Sequence, residues 1–323
     1  MLIKTRSWPV KPPPGVRLDT THPLGQKCQC VCLFNDGSDG QGMHVPGDIT
    51  DSFMDCASVQ IYQTLGNRQP RFWGSTIFGS APPIWATNAA GKCIYFGGDF
   101  SGMDFLYNTG EESHDLDYPE FPIAGIPPIG EVHRGQTVCI IKRKFDTTAR
   151  ASTLFGVEGT AGIGPESRCG AHVPYSDGTV YWDYGGSGAP NRLTYGGYTI
   201  TTNVEKWVFT AGPQGSAIWK DGIKLASQST ALFRVVTTPG VFNVGTMLLN
   251  AGNGLGAHGG GDLVEFNFVM FIADQWSDDK IEWWMAEPYA MFYEPFIGRQ
   301  YFMIGTAGGG GASTERTTQI SFD

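Results

Sequence analysis

Acidic side chains at close spacing are the first candidates for chemistry in this sequence. Asp115-Leu116-Asp117-Tyr118-Pro119-Glu120 gathers three of them, and glycoside hydrolysis with retention needs two carboxyls about 5 Å apart, flanking the scissile bond. Pro119 argues against that use, because a proline removes a ladder donor and breaks a central strand. The flanks Glu111-Glu112-Ser113-His114 and Phe121-Pro122 have the composition of a loop. An acidic, solvated loop accounts for these residues, and no catalytic residue is assigned.

A carbohydrate site asks for something else: flat aromatic faces beside a few polar groups that fix orientation. Tyr181, Asp183, Tyr184, Asn191 and Arg192 supply that combination within a short stretch. Trp182, Trp207 and Trp219 are better assigned to packing, the usual place of so large an apolar side chain.

Other reactive groupings do not form. A nucleophile elbow, Gly-x-Ser-x-Gly, is absent, and Gly185-Gly186-Ser187-Gly188 is turn material. His22, His44, His114, His133, His172 and His258 show no i, i+4 pairing for zinc. The glycine-rich run from Gly252 to Gly259 is followed by neither helix nor lysine, so it reads as an inter-strand loop and not a phosphate cradle. Cys28, Cys30, Cys32, Cys56, Cys93, Cys139 and Cys169 contain no C-x-x-C pair. Strand alternation predicts Cys28, Cys30 and Cys32 on one face, where they cannot bridge one another, and buried thiols are expected.

The elements that must carry these residues are strands. The chain has 323 residues, with Gly 45, Pro 20 and only 16% charged residues, which favours frequent turns over long amphipathic helices. Short apolar runs recur between turn residues: Cys28–Phe34, Lys92–Phe96, Thr137–Lys142, Thr179–Tyr184, Lys206–Thr210, Ser216–Lys220, Ile223–Ala226 and Val241–Val244. That punctuation is the signature of an all-β sandwich or barrel. Asp221-Gly222 supplies the positive φ angles of a two-residue type I′ hairpin turn. A longer strand, Asp262–Ala273, is predicted to place Val264, Phe266, Phe268 and Met270 together on one face. Ser277 with Asp278 and Asp279 then opens a short helix that turns Ile281, Trp284 and Met285 inward and ends before Pro288.

A formal net charge of -9 argues against a phosphate-backbone partner, since such binding draws on clustered Lys and Arg. No nucleic acid and no membrane partner is expected, because no run approaches membrane-spanning length. The N-terminus carries no apolar h-region or cleavage pattern, so no signal peptide is read. Residues 1–26, with Pro12-Pro13-Pro14, read as an extended arm outside the core. Residues 27–302 read as the sandwich domain and 303–323 as a Gly-rich tail.

Three segments, in order, resemble the concanavalin A-like and laminin-G-like jelly rolls: Asp177-Gly178-Thr179-Val180-Tyr181-Trp182-Asp183-Tyr184, then Trp207-Val208-Phe209-Thr210 with Ser216 to Gly222, and Gly261 to Phe266 leading into Trp276 to Ile281. His22-Pro23-Leu24 before Cys32-Leu33-Phe34-Asn35-Asp36-Gly37, and Glu287-Pro288-Tyr289-Ala290-Met291-Phe292 at the far end, resemble the framing of jelly-roll proteins encoded by tailed bacteriophages. The resemblance spans about residues 22–302 and implies a concanavalin-like jelly-roll β-sandwich of two antiparallel sheets with one short C-terminal helix.

Relatives of this kind often hold a calcium ion with loop carboxylates, which would make Asp36, Asp39, Asp99 and Asp104 the candidate ligands and calcium the one cofactor to expect. The endoglucanases of this fold carry E-x-D-x-x-E on a strand. Here Asp115 stands where the nucleophilic glutamate is expected and is one methylene shorter, which puts that activity in doubt. Because the scaffold hosts lectins, hydrolases and structural proteins, the reading is of a non-enzymatic virion structural protein, a capsid decoration or accessory surface protein of a tailed phage. It would be assembled in the host cytoplasm, anchored by its terminal extensions to the major capsid protein or other virion proteins, and oligomeric, with a trimer as the order considered. A carbohydrate-binding adhesion module engaging surface glycans is the alternative, and a glycoside hydrolase is a third.

Overall fold

The computed structural model describes residues 8–13, 16–35, 71–74, 84–97, 101–105, 132–150, 154–159, 168–235, 240–244, 247–249, 257–259 and 263–293. The strands in chain order are β1 (Arg17–Leu18), β2 (Cys28–Cys32), β3 (Arg71–Gly74), β4 (Ile84–Asn88), β5 (Gly91–Gly97), β6 (Ser101–Phe105), β7 (Val132–His133), β8 (Gln136–Lys144), β9 (Phe155–Gly159) and β10 (Cys169–His172). They continue as β11 (Val180–Tyr184), β12 (Arg192–Tyr195), β13 (Val204–Gly212), β14 (Gly215–Lys220), β15 (Ile223–Gln228), β16 (Arg234–Val235), β17 (Gly240–Val244), β18 (Met247–Leu249), β19 (Ala257–Gly259), β20 (Leu263–Ile272) and β21 (Phe292–Tyr293). The helix among the described residues is α1 (Asp278–Ala286).

Two antiparallel sheets form a jelly-roll sandwich. One has seven strands in the order β12-β11-β10-β9-β17-β6-β3. The other has eight, β15-β14-β13-β8-β20-β5-β4 with β2 joined to β20. The interior between them holds Trp85, Phe155, Trp182, Tyr184, Trp207 and Phe209 among its large side chains. The Trp207 and Phe209 rings stack with centroids 5.8 Å apart. Trp182 and Trp207 are fully buried and Trp219 nearly so, as their apolar bulk predicts. Asp221 and Gly222 take φ of 49° and 86° and pair Lys220 with Ile223, the type I′ hairpin read from the sequence.

The far face of the eight-stranded sheet is covered as well. Leu33, Val208, Phe268 and Met270 meet Ile281, Trp284 and Met285 of α1, and this second core also takes in Trp8, Val16, Leu18 and Leu24. Residues 8–26 are therefore not an arm outside the core. β1 pairs with β21, and the Trp8 indole Nε1 donates to Phe292 O at 3.2 Å. Prolines deny the segment a regular ladder, but Trp8, Val16, Leu18 and Leu24 are buried onto the sheet while Val10 stays exposed.

Two β-bulges correct the face assignments drawn from alternation. One between Phe266 and Phe268 sends Val264, Phe266, Val269 and Phe271 to the interior, and Phe268, Met270 and Ile272 to the second core. Another between Cys28 and Cys30 separates Cys32, which lies in the interior, from Cys28, which packs against the second core. A bulge adds one residue to one strand, and every side chain beyond it changes face. α1 buries Ile281, Trp284 and Met285 as predicted, although the Ser277 side chain makes no capping bond. No helix among the described residues is long and apolar enough to cross a membrane.

Candidate functional site

The site is built on the outer face of the β10–β11–β12 edge. Alternation along β11 turns Val180, Trp182 and Tyr184 to the interior and leaves Tyr181 and Asp183 on the other face. In register beside Asp183 stand Arg192 on β12 and Gly170 on β10, and Gly170 in turn faces Gly156 on β9. A Cβ at Gly170 would fall 3.0 Å from Phe155 O and 3.2 Å from Gly156 Cα, so a side chain there would crowd the β9 backbone.

Asp183 is the hub. Its side chain is fully buried, and Arg192 donates to it twice, Nε to Oδ1 at 2.6 Å and Nη2 to Oδ2 at 2.7 Å. This is the planar two-point match of guanidinium to carboxylate. Arg168 approaches from the β10 side, with Nε 2.7 Å from Oδ2 in a close ionic contact and not an aligned hydrogen bond. One carboxylate thus fixes two guanidiniums that remain 29% and 27% exposed. The bond to Asp183 holds the Arg192 guanidinium above its ordinary value.

Aromatic rings extend the patch toward the β10–β11 turn. Arg192 lies over the Tyr181 ring, 4.6 Å from its centroid, so one face of that ring is taken. The Tyr181 hydroxyl donates to Asp177 Oδ2 at 2.5 Å, which raises the phenol's pKa and lowers that of the carboxyl. Tyr175 is 37% exposed and packs edge-on to Tyr181 and to His172. Arg168 Nη2 lies 3.4 Å from His172 Nε2, and since a guanidinium only donates, that ring nitrogen accepts.

No family model matches the sequence, and no curated protein sequence matches it. Among solved structures, domain 4 of AbnA, a GH43 extracellular arabinanase from Geobacillus stearothermophilus, in complex with arabinotriose, is similar at TM-score 0.44 and 13% identity. That match covers 68% of this chain and 90% of the other. The CBM40 of a Ruminococcus gnavus IT-sialidase is similar at TM-score 0.41 and 13% identity, over 59% and 94%. A heptameric SAP-like pentraxin from Limulus polyphemus is similar at TM-score 0.37 and 13% identity, over 48% and 71%. Likenesses this distant add nothing to the sheet geometry described above.

Of the sugar-site residues read from the sequence, the structure brings Tyr181, Asp183 and Arg192 together and sets Asn191 at the end of the same hairpin, where its carbonyl accepts from the Tyr184 N–H at 3.0 Å. Tyr184 is turned away: it is fully buried in the interior, because it follows Asp183 on a strand. Asp183 itself offers no free oxygen to a ligand and acts by orienting its arginines. Arg168, His172 and Tyr175 are additions that the sequence reading missed. The alternation of Arg168, Gly170 and His172 against Cys169 and Ala171 is the signal that would have found two of them.

Of the proposed calcium ligands, Asp36, Asp39 and Asp99 lie outside the described residues. Asp104 holds a register position on β6 opposite Asn243, but its side chain lies outside the described residues. So do Asp115, Asp117 and Glu120. Among the described residues no group of three or more His, Cys, Asp or Glu converges to hold a metal.

Proposed function

We propose that this chain is a non-catalytic carbohydrate-binding module whose ligand lies across Tyr175, Tyr181, Arg168 and Arg192. The observation that carries this is the Asp183 clamp. It holds two partly exposed guanidiniums in fixed positions beside half-exposed tyrosine rings, so hydrogen-bond donors for sugar hydroxyls and apolar faces for sugar C–H groups are pre-organised together. A carboxylate whose oxygens are both engaged by arginines is placed to orient them and presents neither oxygen to a substrate, which is why binding without catalysis is the proposal. Glycan-array binding tests it: Arg192→Ala and Tyr175→Ala should each abolish a signal that the parent protein gives, and a flat array for the parent protein removes the reading.

A second reading concerns where such a module works: on a tailed-phage particle, as a decoration or accessory surface protein bound to the capsid or another virion protein. It is favoured by the convergence of the two framing segments that resemble phage jelly rolls. The His22 ring packs against Trp283 at 4.9 Å, the Asp19 N–H donates to Met291 O at 2.8 Å, and Leu24 shares the second core with Tyr289 and Phe292. Residues 8–26 are committed to that packing, so in this reading anchoring falls to the 303–323 tail. Fixed stoichiometry in purified particles, lost on deleting residues 306–323 with the domain still folded, is the expected result. A soluble chain absent from particles rejects it.

A further inference from the structure

A third arginine stands at the same end of the sandwich, on the opposite side of the sheet. Arg234 opens β16 and is fully buried, and its Nε, Nη1 and Nη2 have no oxygen or nitrogen partner, only the Cys169 thiol, a weak acceptor, within reach. Its guanidinium lies over the Tyr184 ring at 5.9 Å, with the Cys169 thiol beside it. Neither neighbour offers negative charge near neutrality: burial pushes the Cys169 thiol up to about 11 and the Tyr184 phenol well above its ordinary value. Among the described residues the nearby carboxylate is Asp183, and it is already shared by Arg168 and Arg192.

A guanidinium cannot shed its proton inside a protein, and an uncompensated charge in the interior is among the costliest arrangements a fold can hold. Its planar fork of donors matches a two-oxygen acceptor. The surroundings also hold the segment in place. Gly185 has φ +77, and a Cβ there would fall 2.3 Å from Phe233 O, so the chain leading into Arg234 is pressed against the end of β11. Leu232 beside it is buried in the interior, so the arginine cannot swing out without unpacking that end.

We propose that Arg234 is the centre of an oxyanion site at this end of the sandwich, taking a carboxylate or sulfate group between the sheets beneath Cys169 and Tyr184. The site is separate from the outer-face patch and does not depend on it. The group could arrive as a free anion or as the acidic substituent of a saccharide, and the probes below separate the two.

Calorimetric titration of the full chain with sodium sulfate and with sodium acetate, at constant ionic strength, tests the proposal. Saturable binding is expected, weakened at least tenfold in Arg234→Met and partly retained in Arg234→Lys. Retention of full affinity in Arg234→Met overturns it, as does no saturable binding by the parent protein. If Arg234→Met does not fold, crystals of the parent protein soaked in bromide decide: an anomalous peak within hydrogen-bond reach of Arg234 supports the site, and a carboxylate of the chain itself seated on Arg234 overturns it. Titration with an acidic and a neutral oligosaccharide, each against Arg234→Lys and Arg192→Ala, separates the sources. Acidic-sugar binding weakened in Arg234→Lys but not in Arg192→Ala marks a saccharide substituent, and binding of sulfate but neither sugar marks a free anion. Loss in Arg192→Ala alone assigns the sugar to the outer face and leaves Arg234 to be judged by the sulfate result.

Discussion

Asp183 and Arg192 face one another in register across β11 and β12, and the guanidinium closes on the carboxylate through two bonds of 2.6 and 2.7 Å. Strand register delivers that meeting and no loop has to find it. The geometry belongs to the rigid part of the molecule, where pre-organised recognition is best kept.

Asp183→Asn should therefore cost both stability and binding. The amide would leave two guanidiniums facing a neutral group, and because they keep 29% and 27% of their surface in water the loss should be about 2–3 kcal/mol, below that for a fully buried pair. Urea unfolding measures the first effect and glycan binding the second. A variant as stable as the parent would mean that the clamp is not formed in solution.

Removing residues 1–20 should destabilise the domain. Trp8, Val16 and Leu18 cover the outer face of the eight-stranded sheet, and the single change Leu18→Ala should already cost about 2–3 kcal/mol, the usual loss for emptying a buried leucine site. Thermal unfolding of both proteins checks this. A truncated chain that melts with the parent would show that the segment is a detachable arm after all.

Gly185→Ala should be among the most damaging single-methyl substitutions in the described part of the chain. It asks an L-residue to take φ +77 and places a carbon 2.3 Å from the Phe233 carbonyl oxygen, so the β11 end or the Phe233–Arg234 segment must move. Expected is a drop in melting temperature larger than that of Gly178→Ala. Gly178 also has positive φ, at +80, but nothing lies within 4 Å of its added carbon. Equal losses at the two positions would mean that only the backbone angle matters, and that the close approach to Phe233 relaxes freely.

Why some of this was legible in the sequence and some was not follows from particular residues. Asp221-Gly222 announces a hairpin because few other residue pairs tolerate two positive φ angles, and Ile281, Trp284 and Met285 announce a helix face by their spacing. β20 announces itself as a strand but not its register: apolar residues lie on both faces, so a bulge after Phe266 leaves no polar residue in the wrong place to betray it. β10 is four residues long with a glycine in its second position, too short for periodicity to rise above chance. Arg168 and His172 stayed hidden with it. The second core was missed because the prolines of the N-terminal segment outweigh, in composition, the few apolar residues that dock it.

The buried ion pair between the sheets carries the last prediction. Glu205 is 1% exposed and accepts from Lys142 Nζ at 3.2 Å, Trp207 Nε1 at 3.0 Å and the Tyr198 hydroxyl at 2.9 Å. Burial alone would raise its pKa, but the Lys142 charge and these donors outweigh it and hold the carboxyl below its ordinary 4.5. A depressed acid binds its proton less readily in the folded chain than in the unfolded one, so its stabilisation is complete above about pH 4.5 and is lost as pH falls through the folded value. Glu205→Gln should be less stable than the parent near pH 7, because the buried Lys142 and the half-buried Lys220 lose the carboxylate charge that faces them. The gap between the two melting temperatures should then narrow steadily below pH 4.5, as the parent loses what the variant never had. A gap that stays constant down to about pH 3 would show that the Glu205 proton is not linked to folding in this range.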